Sequence, residues 1–238
     1  MNRKIAFLIC STVLLSTNIS ILTRIYADEK QTVHTNKIVD GKEESFTDET
    51  IESNTVDTSV ICNQNGGTVT INKNTLHKSG DTNNEDGKNA VVFTTGSSFT
   101  KIDQSDLQST SKGSSGIVAN EKAMVYANDS TIMTSNDSAN GLEAYSNGQI
   151  IANQMDITTQ GNQSAAVYTK QSDGSISLTN STLSTDGNNA PLLYANGTIE
   201  VDNVSGTASH SKIAEVEGGQ HLSIYNSQFS STNNSLLQ

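Results

Sequence analysis

The stretch Gly141-Leu-Glu-Ala-Tyr145, Gly148-Gln-Ile-Ile-Ala152, Asn153-Gln-Met-Asp-Ile157, Thr158-Thr-Gln-Gly-Asn162 is followed at once by a second version of itself. That version runs Ala165-Ala-Val-Tyr168, Gly174-Ser-Ile-Ser-Leu178, Asn180-Ser-Thr-Leu183, Ser184-Thr-Asp-Gly-Asn188. From Gly66 onward the pattern recurs roughly every 23 to 31 residues, the length of one solenoid coil.

Aligning the units puts like residues in columns. One column holds Val69, Val125, Ile150, Ile176, Ile199 and Leu222. Two residues on come Ile71, Ile102, Ala127, Ala152, Leu178, Val201 and Ile224. Five further on come Leu76, Leu107, Ile132, Ile157, Leu183, Gly206 and Phe229. A spacing of two is strand alternation with one face inward. The five-residue step is a sharp turn after which a strand resumes with its apolar face still inward. Thr100 and Gly206 are the misfits, marking irregular coils. No helical stripe persists, because Gly, Asn, Ser and Thr interrupt every candidate. The expected fold is all-β, a right-handed parallel β-helix of about seven coils whose aliphatics meet in one core.

The turn between the two inward strands carries Asn72, Asp103, Asn128, Asn153, Asn180, Asn203 and Asn226. Asn and Asp tolerate left-handed backbone and bond neighbouring amides. Stacked, they predict an amide ladder along the solenoid axis. Asn128, Asn180 and Asn203 also begin Asn-x-Ser/Thr sequons, read here as turn chemistry rather than glycan sites.

Residues 1–27 read as a secretory signal peptide. Arg3 and Lys4 precede an apolar run from Ile5 to Leu15, and Ala27 stands before Asp28. The run is too short for a membrane span, and Ile9 is too bulky for a lipobox before Cys10. Residues 28–59 are polar and acidic, expected to form a linker or N-terminal cap. Residues 60–238 are the β-helix. Asn233-Asn-Ser-Leu-Leu-Gln238 matches a coil start, Asn188-Asn-Ala-Pro-Leu-Leu-Tyr194, which suggests a fragment of a longer protein. A bare last coil predicts end-to-end self-association.

Composition narrows the function. The formal net charge is −11, every Asp and Glu follows residue 27, and the only arginines are Arg3 and Arg24. Without a guanidinium the mature chain is a poor partner for nucleic acid, anionic lipid or polyanionic sugars. Cys62 stands alone after the leader and reads as a small core residue.

The segments Gly87-Lys-Asn-Ala-Val-Val-Phe93, Gly187-Asn-Asn-Ala-Pro-Leu-Leu-Tyr194 and Gly206-Thr-Ala-Ser-His-Ser-Lys-Ile-Ala-Glu-Val-Glu-Gly218 resemble those of large secreted Gram-positive β-helix proteins of the adhesin-like or pectate-lyase-like type. Similar coils occur in autotransporter passenger domains. The resemblance spans nearly all of residues 66–238 and implies the fold, export and a surface role. It brings no catalytic residues with it.

The residues themselves offer little chemistry. A lyase needs a base beside an acidified proton, and Lys73, Lys101, Lys112, Lys122, Lys170 and Lys212 form no column. Hydrolysis needs two carboxylates across a groove, and Asp103, Asp129, Asp156, Asp173, Asp186 and Asp202 are mostly turn residues. His34, His77, His210 and His221 lie at unrelated phases, so no metal and no cofactor is expected. Gly66-Gly67 and Gly218-Gly219 are turn glycines. Thr134, Thr159 and Thr185 stack with Ser109 and Ser231 but are broken by Lys78 and Ala208, which argues against an ice-binding array.

The best candidate site is an aromatic column of Phe93, Tyr145, Tyr168 and Tyr194, with Asn120 filling the gap. Each follows an inward residue, so alternation predicts outward rings that either dock a glycan or partner surface or stabilise the sheet. The reading is a non-enzymatic secreted or cell-surface protein, adhesin-like or a stalk. The alternative is a polysaccharide lyase or glycoside hydrolase on the same fold.

Overall fold

A computed structural model describes residues 31–232, apart from positions 34, 85, 172 and 219. The readings of 1–27 as a signal peptide and of 233–238 as the start of an incomplete coil fall outside the described residues. The chain forms parallel strands only in the ladders between successive turns. Eight such turns stack. Each contributes one short strand to an eight-stranded sheet, from Lys37–Asp40 to Ala214–Val216. The rest of each turn adds two further strands, which run on as one in Met124–Thr134 and Gln149–Thr159.

All three apolar columns are in register. Val125 pairs Ile150, Ile150 pairs Ile176 and Ile176 pairs Ile199. Ile71 pairs Ile102, and Leu107 pairs Ile132, which pairs Ile157. These side chains are buried in a single continuous core. A coil cannot bury them alone; its neighbours above and below complete both the apolar contacts and the backbone hydrogen bonds.

Residues 37–53, expected to be linker or cap, form the first turn. Phe46 pairs Ile71 and Ile51 pairs Leu76, each buried. The periodicity is masked there because Glu44 occupies the place of Val69 and no asparagine marks the corner.

The two misfits have local explanations. Thr100 is buried, and its hydroxyl meets Asn63 Nδ2 at 3.0 Å and Thr94 Oγ1 at 2.8 Å. Asn63 also donates to the Phe99 carbonyl at 2.8 Å, so the polar residue belongs to a small internal network. At Gly206 a Cβ would come within 3.0 Å of Leu192 Cδ1. Leu192, just before the short strand Leu193–Ala195, fills the space a column residue would take.

The threonine stack is also in register, but it points inward. Thr134, Thr159 and Thr185 pair in series and are fully buried. The hydroxyls of Thr134 and Thr159 donate to the carbonyls of Ala139 and Ser164 at 2.6 Å. Lys78 lies in the same inward column, paired with Ser53 and Ser109. Its ammonium donates to the carbonyls of Ser79 at 2.9 Å and Thr55 at 3.0 Å. Burial pulls its pKa down to about 8, with Asp57 and Asp81 partly offsetting the effect.

Candidate functional site

The corner ladder is continuous over five turns. Asn128 Nδ2 donates to Asp103 Oδ1 at 2.9 Å, and Asn153 to Asn128 at 2.8 Å. Asn180 donates to Asn153 at 2.7 Å, and Asn203 to Asn180 at 2.8 Å. Asn226 reaches Asp202 instead, at 2.7 Å. The members are not equivalent, as the sequence alignment had them. Asn72, Asp103, Asn128 and Asn153 end or continue strands and pair with one another. Asn180, Asn203 and Asn226 stand one residue later, with φ of 51°, 55° and 46°. In earlier turns Lys73, Gln104, Asp129 and Gln154 take that left-handed place. The ladder therefore changes column at Asn180 without losing its hydrogen bonds.

A second ladder beside it was not foreseen. Ser105, Ser130, Ser181 and Ser227 each donate to the carbonyl two residues back, at 2.6–2.8 Å. The same oxygens accept the backbone N–H of the preceding turn from Asn74, Ser105, Met155 and Val204. The available signal was a serine two residues after Asp103 and Asn128 and one residue after Asn180 and Asn226.

The outer face of the eight-stranded sheet carries the aromatic column, in a different register from the expected one. The column runs from Cys62 through Phe93, Val118, Glu143, Tyr168 and Tyr194 to Glu215. Tyr145 is not in it. The paired residues are Ala119, Ala144 and Thr169, so Tyr145 lies beyond the strand, next to the place of Asn120. Aligning ring on ring slid that coil by two residues; the inward series Val92, Ile117, Leu142, Val167 and Leu193 fixes the true register.

Nor is the column uniformly exposed. The segment 80–90, inserted in the longest repeat, folds as a strap over its first half. Ala90, Phe93, Val118 and Tyr145 form a separate buried cluster there, with Cys62 against it. Tyr145 is only 7% exposed, and its phenol donates to the Asp86 carbonyl. Gly87 (φ +75°) sits on the rings, where a Cβ would approach Tyr145 Oη and Val118 Cγ1 to 2.9 Å. Burial pushes the Tyr145 phenol well above its ordinary pKa, and Glu143, Asp86 and Glu121 add to this.

The second half of the column floors an open groove of about 450 Å³. Tyr168 and Tyr194 are partly exposed, with ring centroids 5.0 Å apart and planes tilted by 50°. Glu143 stands on an outward position of the strand, yet it is only 5% exposed. Its Oε2 accepts from Ser115 Oγ at 2.7 Å and Asn140 Nδ2 at 3.2 Å. Lys212 faces Glu215 at 3.7 Å, and Lys170 reaches over the Tyr145 ring, 5.7 Å from its centroid. Burial raises the Tyr194 phenol above its ordinary pKa, with the hydrogen-bonded Glu217 carboxylate reinforcing it. The groove thus combines ring faces with carboxylate, amine, amide and hydroxyl groups.

A second apolar surface escaped the sequence reading. Phe99 and Tyr126 meet edge to face at 5.5 Å on the other sheet, beside exposed Ile151, which pairs Tyr126. Among the described residues, no three His, Cys, Asp or Glu stand close enough to hold a metal ion. No described helix is long and apolar enough to cross a membrane.

Parallel strands, coil-to-coil register and one continuous core define the chain as a parallel β-solenoid. No family model matches it, and no match was found among curated proteins or solved structures.

Proposed function

We propose that this is a secreted or cell-surface, adhesin-like β-solenoid whose groove binds glycan. The observation that carries the reading is the pair Tyr168 and Tyr194, ring faces partly open on the floor of a groove lined by Glu143, Asn140, Ser115, Lys170 and Lys212. Sugars present apolar C–H faces and a rim of hydroxyls; stacked rings take the first and mixed donors and acceptors the second. Both signs of charge line the groove, so a neutral glycan suits it better than a polyanion. The net charge of −11 points the same way.

The spacing of carboxylates along the column speaks for binding over hydrolysis. Glu143 and Glu215 are separated in the column by Tyr168 and Tyr194. Three strand spacings place them about 14 Å apart, whereas paired-carboxylate hydrolysis uses separations of roughly 5–9.5 Å.

The test is a glycan array and calorimetry with residues 28–238, compared with the double variant Tyr168→Ser, Tyr194→Ser. Loss of binding with β-content unchanged is the expected result. Unsaturated or shortened products appearing from any glycan would overturn the binding reading in favour of a lyase or hydrolase. A lower melting temperature with adhesion unaltered would leave the rings a purely stabilising role.

A further inference from the structure

The groove is blind at one end. Resting on the glycan reading above, we infer that it takes the terminus of a sugar chain, with the terminal residue against Glu143, and does not grip the middle of a polymer.

From Phe93 toward Glu215, exposure rises along the column. Phe93, Val118 and Glu143 are buried, while Tyr168, Tyr194 and Glu215 are partly exposed. The change falls where the strap ends, and Asn84 and Gly87 of the strap line the groove beside Glu143. A polymer lying along the sheet axis would have to pass through the space that Gly87 occupies on Val118 and Tyr145.

The strap is fixed, not draped. Thr82 N–H donates to the Lys112 carbonyl at 3.1 Å, and Lys112 N–H to Asp81 Oδ1 at 2.8 Å. Ser114 Oγ donates to the Asn89 carbonyl at 2.7 Å, and Asn89 Nδ2 to the Gly80 carbonyl at 2.9 Å. These bonds tie both ends of the strap to its own and the next turn, so the closed end is built into the fold.

The chemistry at the closed end suits a chain terminus. A terminal sugar carries one more free hydroxyl than an internal one. Glu143, held by Ser115 and Asn140, lines the groove there together with those two residues, a polar end wall for such a hydroxyl. From Glu143 to Glu215 the floor spans about 14 Å, room for a short oligosaccharide whose remainder leaves toward Glu215.

The experiment uses neutral glucan, mannan and N-acetylglucosamine oligomers, each fixed to a surface through its reducing or its non-reducing end, and the same oligomers free in solution. For an oligomer that binds in solution, retention on one tethering orientation at least tenfold above the other is the expected result. Equal retention in both orientations overturns the terminus inference and leaves the glycan reading standing. Absence of binding in solution as well as on the surface overturns both. A variant with the strap 81–88 replaced by a short Gly-Ser linker, checked for retained β-content, should bind but lose its orientation preference. An unchanged preference in that folded variant would count against the strap as the closing element.

Discussion

The phenol of Tyr145 and the backbone carbonyl of Asp86 are joined by a hydrogen bond across 59 residues of sequence. It fastens the strap to the rings it covers. Tyr145→Phe keeps the ring and removes the bond. We expect a stability loss of about 0.5–1.5 kcal/mol and faster protease cleavage within 82–88. Denaturant melts and mapped limited proteolysis measure both; an unaltered cleavage rate would show that the bond does not hold the strap.

Glu143→Ala leaves Ser115 Oγ and Asn140 Nδ2 without their shared acceptor at a buried place. The expected destabilisation is about 1–3 kcal/mol. Glu200→Ala, on an exposed outward position, should change stability by less than about 0.5 kcal/mol. Urea midpoints of the two variants decide it, and equal effects would contradict the buried placement.

Asn153 is the busiest member of the corner ladder. Its Oδ1 accepts from Asn180 and from Thr179 Oγ1, and its amide donates to Asn128. Asn153→Ala should cost about 1–3 kcal/mol, and more than Asn226→Ala, which removes one bond to Asp202. Thermal melts of both supply the comparison; the reverse order would sink the ladder's role.

Ile157→Asp and Leu183→Asp each put a carboxylate between stacked turns with no partner there. The cost of such burial is large against the 5–15 kcal/mol stability of a typical domain. Loss of the cooperative melt by circular dichroism is the expected outcome for both.

Lys78 gives a pH signature. Its folded pKa, about 8, lies below its ordinary 10.5. Between those values the unfolded chain holds the proton more tightly than the folded one, so this group's contribution to stability rises with pH. It is lost as pH falls through 8. Relative to Lys78→Met, the wild type should therefore gain stability from pH 8 to pH 10.5. Urea melts across that window test the sign; a flat difference would mean that Lys78 titrates alike in both states.

Much of the fold was legible because coil packing repeats its demands: the three aliphatic columns recur at one phase, and the ladder residues recur with them. What was not legible had other physical causes. The first turn, 37–53, hides behind Glu44 and a corner without asparagine. The register of Tyr145 was lost because a ring was taken as the marker when the inward aliphatics carried the phase. Glu143 lies on an outward position, so alternation alone makes it exposed. Only the strap, a segment outside the repeat, together with the wall residues Ser115 and Asn140, turns that face into an interior.

Apart from the strap's bond to Tyr145, the described turns are bonded to their immediate neighbours, through backbone bonds that lie along the axis of the stack. Pulling on the two ends of the molecule would load those bonds along their own length, one turn at a time. Such a tether should open in steps, not in one rupture. A ladder repeat of 25 residues would release roughly 80–90 Å of slack per step at about 3.3–3.6 Å per residue. If the molecule holds a cell to a surface under flow, it would act as a ratcheted shock absorber, paying out chain while the remaining turns keep their grip.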